Sequence, residues 1–576
     1  MRNVSRVYPT DHHVSSFFAD SLMNTIPWDY YTEGRAALGH TFKPAAAEAR
    51  QVLEKVLREE PTHEGAIHLY IHLLEAGDEA GLAQPFAEEL ARLAPGASHL
   101  VHMPSHTFMH TGHWDDAAAV NAAATYDAPR PGGPGSDNVY PLHNREFLVW
   151  ALRIEGRSAE ALSEARKLTA IAQPCAVDHV HCSIPGCHRA DSEDPLAGRR
   201  YQRFSAAWPL TVALLGDQPE LTELEAAPPP VLLEYHTAMW HFAIGMVNTR
   251  LAAAASRRRF SSGPDVQMHL DRAESARQQM SLACGSADLI GDSEDSYSHP
   301  VVDLCSIAKA VLGDAVTAAV LQSADEHGEG GSASAEAASA ESLSALRAAS
   351  LLEDRLEYDE PPTQFFPSRH FLGAALLRAA SSDGTHTRHT NVRTALVQEA
   401  VGTYEQALVD FPGNGWALHG LTAALEAGGV ASIRKVAGAA NTAAAARIAE
   451  DRAWERADVV LVDSATIDLP ARRASHAPAS TYNNAGTSGG GSSREDEGSL
   501  LGSIVKVLFW VGVMGGVVFL MAQKGSRKRE REVRAYERES GWRGAAQRIV
   551  TTVTPPFGEE AKRAKRDEHG ELDRLI

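Results

Sequence analysis

Three prolines, Pro61, Pro95 and Pro129, stand 34 residues apart. A repeat that short cannot bury a core by itself, so it must stack against its neighbours. Between Pro61 and Pro95, EGAIHLYIHLLEA and LAQPFAEELARLA carry apolar residues at helical spacing, with Gly77 and Asp78 as the turn. Between Pro95 and Pro129, SHLVHMPSHTFMH and DDAAAVNAAATYD do the same around Gly112. In LHNREFLVWALRIEGRSAEALSEARKL, Gly156 and Ala161 repeat the mutual spacing of Gly112 and Ala117. The spacing predicts helix pairs over 44–60, 64–93, 98–127 and 142–170, with Ala83, Ala117 and Ala161 where paired helices meet. Helical patterning returns in HTAMWHFAIGMVNTRLAAA, SRHFLGAALLRAA and EAVGTYEQALVDFPGNGWALHGLTAALEAGG, and no stretch reads as a strand region. The expected class is all-α, a solenoid of helical hairpins.

The remaining composition fits several units in one chain of 576 residues. A net charge of −20 argues against a nucleic-acid partner, which needs clustered positive charge. Five cysteines are too few for a disulfide scaffold, and Cys284 and Cys305 read as buried small apolar residues. One apolar run, residues 500–523 (LLGSIVKVLFWVGVMGGVVFLMAQ), is long enough to cross a bilayer as a single-pass transmembrane helix. Acidic residues precede it and Lys524, Arg527, Lys528, Arg529 and Arg531 follow it, which places the C-terminal side in the cytosol. The large N-terminal part then lies across the membrane. No export signal is visible at the N-terminus, so the expectation is that the start is incomplete or that the charge rule does not hold. Gly512 and Gly516 form a GxxxG pattern through which spanning helices dimerise. The organisation read from composition is an N-terminal segment 1–43, repeats over 44–170, a Cys/His-containing insertion 171–200, a continued helical solenoid 201–463 with a low-complexity insertion near 327–346, a Ser/Gly-rich linker 464–499, the span 500–523 and a charged tail 524–576.

The period and its punctuation resemble the tetratricopeptide repeat. HEGAIHLYIHLLEA, HLVHMPSH, LHNREFL, EGRSAEAL, MWHFAIGM and FPGNGWALHGL further resemble a histidine-containing, mostly bacterial subfamily of tetratricopeptide proteins. The likeness runs from about Phe17 to Asp463. It implies a solenoid whose first helices line a concave groove. It implies no activity, and the membrane span departs from the usual pattern.

Eight histidines fall between His63 and His113. Counted from each repeat proline, His68 and His72 share their offsets with His102 and His106, while Glu75, His99, His110, His143 and Glu146 extend the same stripe. At about 100° per residue these positions fall on one helix face. His68 is expected to face His102, and His72 to face His106. Two readings stay open. A histidine-lined groove binds a protein segment or small ligand. Alternatively, His68, His72, Glu75, His102 and His106 hold a divalent transition metal, Zn or Fe, in a metal-dependent enzyme of hydrolase or oxygenase type. Imidazoles at i and i+4 with a carboxylate one turn away suit that chemistry. The insertion DHVHCSIPGCH (His179, His181, Cys182, Cys187, His188) offers zinc-ligand types at a wide spacing. His370 and His419 are expected to be packed rather than liganded.

Overall fold

The computed structural model describes residues 1–32, 41–126, 140–177, 201–229, 233–257, 263–284, 289–290, 299–326, 333–356, 358–381, 389–428 and 442–468. The chain divides into two units, Met1–Gly489 and Gly490–Ile576. The second unit, with the span 500–523 and the charged tail, lies outside the described residues, as do the Cys/His motif of 179–188 and residues 469–499 of the linker, whose first residues 464–468 instead include the strand Thr466–Ile467.

The first unit is all-α. Its repeat region forms helices Pro44–Glu59, Glu64–Glu75, Gln84–Leu93, Trp114–Tyr126, Tyr140–Ile154 and Ser158–Val177. Each begins or ends where the sequence dictates. Pro44 and Pro85 occupy first-turn positions, where a missing N–H costs nothing. The ring of His63 accepts a hydrogen bond from the Ala66 amide and caps the helix that follows. Gly112 ends the preceding helix in the left-handed region, at φ +80°. Ala83, Ala117 and Ala161 are all fully buried.

The pair expected over 64–93 has its first helix ending at Glu75, ahead of the Gly77–Asp78 turn, and its second, Gln84–Leu93, following a 3₁₀ turn at Ala80–Ala83. One departure matters for the site. The first helix of the next unit is split into Ser98–His102 and Pro104–Thr111, with Pro104 starting the second piece. Among the described residues, strand is confined to two short antiparallel ladders, 289–290 with 299–300 and 461–463 with 466–467.

Two apolar clusters make up most of the core. One gathers residues from Phe18 to Met103 and the other runs from Ala91 to Ile467. C-terminal segments close onto the repeats through long-range hydrogen bonds. Trp114 Nε1 donates to Pro412 O (2.8 Å), Trp150 Nε1 to Pro362 O (3.1 Å) and Trp416 Nε1 to Arg153 O (2.9 Å). Among the described residues one helix, Val301–Ala324, is long and apolar enough to cross a membrane by length and composition. Its Leu304, Ile307, Val311 and Leu312 are buried within the first unit.

Cys284 and Cys305 are not separate apolar residues. They form a disulfide. The last residue after helix Gly263–Ala283 is thereby joined to the first turns of helix Val301–Glu326. Their spacing of 21 residues carried no sign of the pairing, and burial alone made both look like small core side chains.

Candidate metal centre

Six histidines and two glutamates meet where the helices Glu64–Glu75, Ser98–His102, Pro104–Thr111 and Tyr140–Ile154 adjoin. Potential ligand atoms lie within 4.8 Å of one another in each of three overlapping groups. The first is His68, His72 and His99. The second is His102, His106 and His143. The third, His72, Glu75, His106 and Glu360, joins them.

The joint is Glu75, which is buried. Its Oε1 lies 2.7 Å from His72 Nδ1 and its Oε2 lies 2.5 Å from His106 Nδ1. Glu360 Oε2 approaches His106 Nδ1 at 2.6 Å from the other side. His72 therefore does face His106, with ring centroids 5.1 Å apart. His68 does not pair with His102 as offset counting expected. Its Nε2 meets that of His99 at 3.1 Å. The break at Met103–Pro104 separates His99 from His106 onto two helices, so equal offsets no longer mean equal heights.

Proton positions follow from the hydrogen-bond network. Asn121 Nδ2 donates to Ala117 O, which leaves its Oδ1 to accept from His102 Nδ1 at 2.6 Å. A neutral His102 then presents a lone pair at Nε2. His106 Nδ1 faces carboxylate oxygen, so it too carries a proton, and a neutral His106 also presents a lone pair at Nε2. These two Nε2 atoms are 2.8 Å apart. Two lone pairs at that distance repel unless a proton or a cation stands between them. Imidazoles sharing a tetrahedral ion with bonds of 2.0–2.1 Å have nitrogens roughly 3.3 Å apart, so a few tenths of an ångström of opening would admit one.

The electrostatics have the same origin. Burial opposes charge on His106, but Glu360 and then Glu75 outweigh it and push His106 up to about 10. Burial and the neighbouring Glu75 push Glu360 up to about 7. Burial pushes His72 down to about 4. Burial, reinforced by neighbouring imidazoles, holds His68, His99, His102 and His143 well below the ordinary histidine value. The cluster thus supplies mostly neutral imidazoles, the form that ligates metal.

Glu360, Trp28 and Arg203 are absent from the sequence reading. Arg203 clamps the turn that delivers Glu360. Its Nη1 donates to Asp359 Oδ2 (2.7 Å), its Nη2 to Pro361 O (2.7 Å) and its Nε to Glu146 Oε1 (2.7 Å). Glu146 is thus in an ion pair with Arg203 and not in any of the three ligand groups. His110 lies at the margin, its Nε2 3.5 Å from the Tyr358 hydroxyl. The Trp28 ring stands edge-on to His72 at 5.1 Å, on a backbone with φ +60°, a costly conformation for a bulky residue. No local signal marks these partners. Only the YDEPP run, acidic and then doubly proline, hints at a shaped acidic turn.

His370 and His419 are packed. His370 Nδ1 donates to Pro367 O and its Nε2 accepts from Asn414, while His419 contacts Glu450. A small void of about 20 Å³, lined by His106, His110, Phe147, Tyr358 and Glu360 among others, adjoins the cluster. A larger cavity, about 380 Å³, shares no lining residue with it. Of the charged groups lining that cavity, Asp115 pairs with Arg456 (3.1 Å) and Glu155 with Arg157 (3.0 Å). Comparison with protein-family models, with curated proteins and with solved structures returns no match.

Proposed function

We propose that this chain is a metal-dependent enzyme whose ion is held by His102, His106 and His143. The single observation that supports this most is the pair of opposed Nε2 atoms on His102 and His106, each locked in its tautomer by an acceptor on Nδ1. Metal-ligating histidines characteristically donate their other nitrogen to such an acceptor. Zinc or iron suits three nitrogens with nearby carboxylates. The void beside His106 and Glu360 has room for one water-sized molecule, which fits activation of water or dioxygen, a hydrolase or an oxygenase. A peptide laid along the whole histidine stripe would have to displace the Tyr358–Pro362 segment, which Arg203 and Trp150 hold down.

We further infer that the helix pairs belong to a tetratricopeptide-type solenoid, on the strength of the 34-residue period and the buried alanines at its small-residue positions. The body is tethered by residues 500–523 and lies in an oxidising compartment, a reading supported by the Cys284–Cys305 disulfide. Elemental analysis of the purified full-length protein tests the central claim. Bound Zn or Fe is expected, and His106→Ala should lose it together with any hydrolytic or oxygen-consuming activity. Metal-free protein that neither takes up Zn nor Fe would refute the reading.

A further inference from the structure

The inner triad does not use His68, His72 or His99. We propose that these three residues form a second transition-metal site, joined to the inner one through Glu75, so that the centre is dinuclear. The inference rests on the inner metal proposed above and adds one ion to it.

The outer group repeats the features of the inner one. His68 and His72 are separated by one helical turn on Glu64–Glu75, as His102 and His106 are separated by four residues. Each pair is completed by one histidine from another helix, His99 outside and His143 inside. The closest ring nitrogens are again two Nε2 atoms, His68 and His99, at 3.1 Å. The ring centroids of His68 lie 4.8 Å from His72 and 5.0 Å from His99. His72 Nδ1 is taken by Glu75 Oε1 at 2.7 Å, so a neutral His72 presents Nε2 as its metal donor.

Glu75 couples the two groups because its two oxygens serve one histidine of each. Glu360 sits against the same pair, 2.6 Å from His106 Nδ1 and 4.0 Å from His72 Nδ1. Two carboxylates between two sets of three neutral imidazoles can offset much of the charge of two divalent ions. The groups differ in access. His102 and His106 are buried and His143 is half-buried, whereas all three outer residues are only half-buried, the His72 side chain being 15% exposed. The outer ion would therefore meet solutes that the small inner void excludes.

Cobalt counting separates the claims. The full-length protein in detergent, stripped with a chelator and gel-filtered after adding Co²⁺, should carry two cobalt ions per chain by elemental analysis. His99→Ala should carry one and keep its helical circular dichroism. If His99→Ala misfolds, His68→Asn should give the same count of one. Wild type holding a single ion, or either folded variant still holding two, would overturn the outer site and leave the inner reading standing. Wild type holding none would overturn both.

Discussion

At His106 both ring nitrogens are committed, Nδ1 to two carboxylates and Nε2 to His102. Without metal the simplest relief is a second proton on His106. A metal must displace that proton, so uptake should release protons and weaken as pH falls. The same residue shapes metal-free stability. His106 is raised from 6.5 to about 10, so its contribution is complete below about 6.5 and fades as pH rises towards 10. Buried His236 and His370 are depressed by burial to about 4. Their contribution is complete above about 6.5 and is lost as pH falls towards 4, on the order of 3 kcal/mol each. Denaturant unfolding of metal-free protein should accordingly be hardest near pH 6.5. A midpoint that climbs steadily from pH 6 to pH 9 would contradict the His106 assignment. Arg203 acts one step further out. Arg203→Gln should release the Glu360 turn and lower zinc affinity by about 10–100-fold, the usual effect of losing an outer-shell partner, as read by chelator competition.

At the scale of elements, the turn at Gly112 is where repeat and C-terminal region touch. Its φ of +80° excludes most side chains, and an added Cβ would lie 2.7 Å from the Pro412 carbonyl oxygen. That same oxygen accepts the Trp114 indole hydrogen bond. Gly112→Ala should therefore cost about 2–4 kcal/mol, from left-handed strain plus displaced backbone, measured as a lower denaturation midpoint. Gly313→Ala, in a helix with nothing near its Cβ position, should not destabilise. Gly112 was legible as a turn because helical periodicity stops there. The helices were legible for the same reason, and the same-face count brought His72, Glu75, His102, His106 and His143 together. What the count could not see was the kink at Met103–Pro104, which moved His68 from His102 to His99. Glu360 was beyond reach for another reason. It meets His106 across 254 residues, and a pairing of that length leaves no periodic trace. Glu146 shared the stripe's spacing but found Arg203, a partner on a distant helix, and burial made that ion pair the stronger claim on it.

On the scale of the whole molecule, the proposed tether raises the question of which side of a membrane would hold the proposed metal centre. Two unrelated features answer alike. Under the proposed tether, the charge rule would put the end bearing the basic run after residue 523 in the cytosol and, if 500–523 crosses once, residues 1–468 on the opposite side. The Cys284–Cys305 bond closes a loop of about 20 residues, worth roughly 3 kcal/mol, and such bonds persist where the surroundings are oxidising. Neither feature uses the other, since one is a charge count and the other a side-chain pairing. Together they predict a specific pattern of protection. Protease added to the non-cytosolic face of intact membranes should digest the helical body and spare the tail 524–576. Peptide mapping after alkylation without reduction should find Cys284 linked to Cys305, and a reductant should lower the unfolding midpoint. Digestion of the tail from that face, with Cys284 and Cys305 both alkylated as thiols, would reverse the orientation. The histidine cluster would then face the reducing cytosol, where glutathione competes for zinc and the centre would have to hold its ion against that competition.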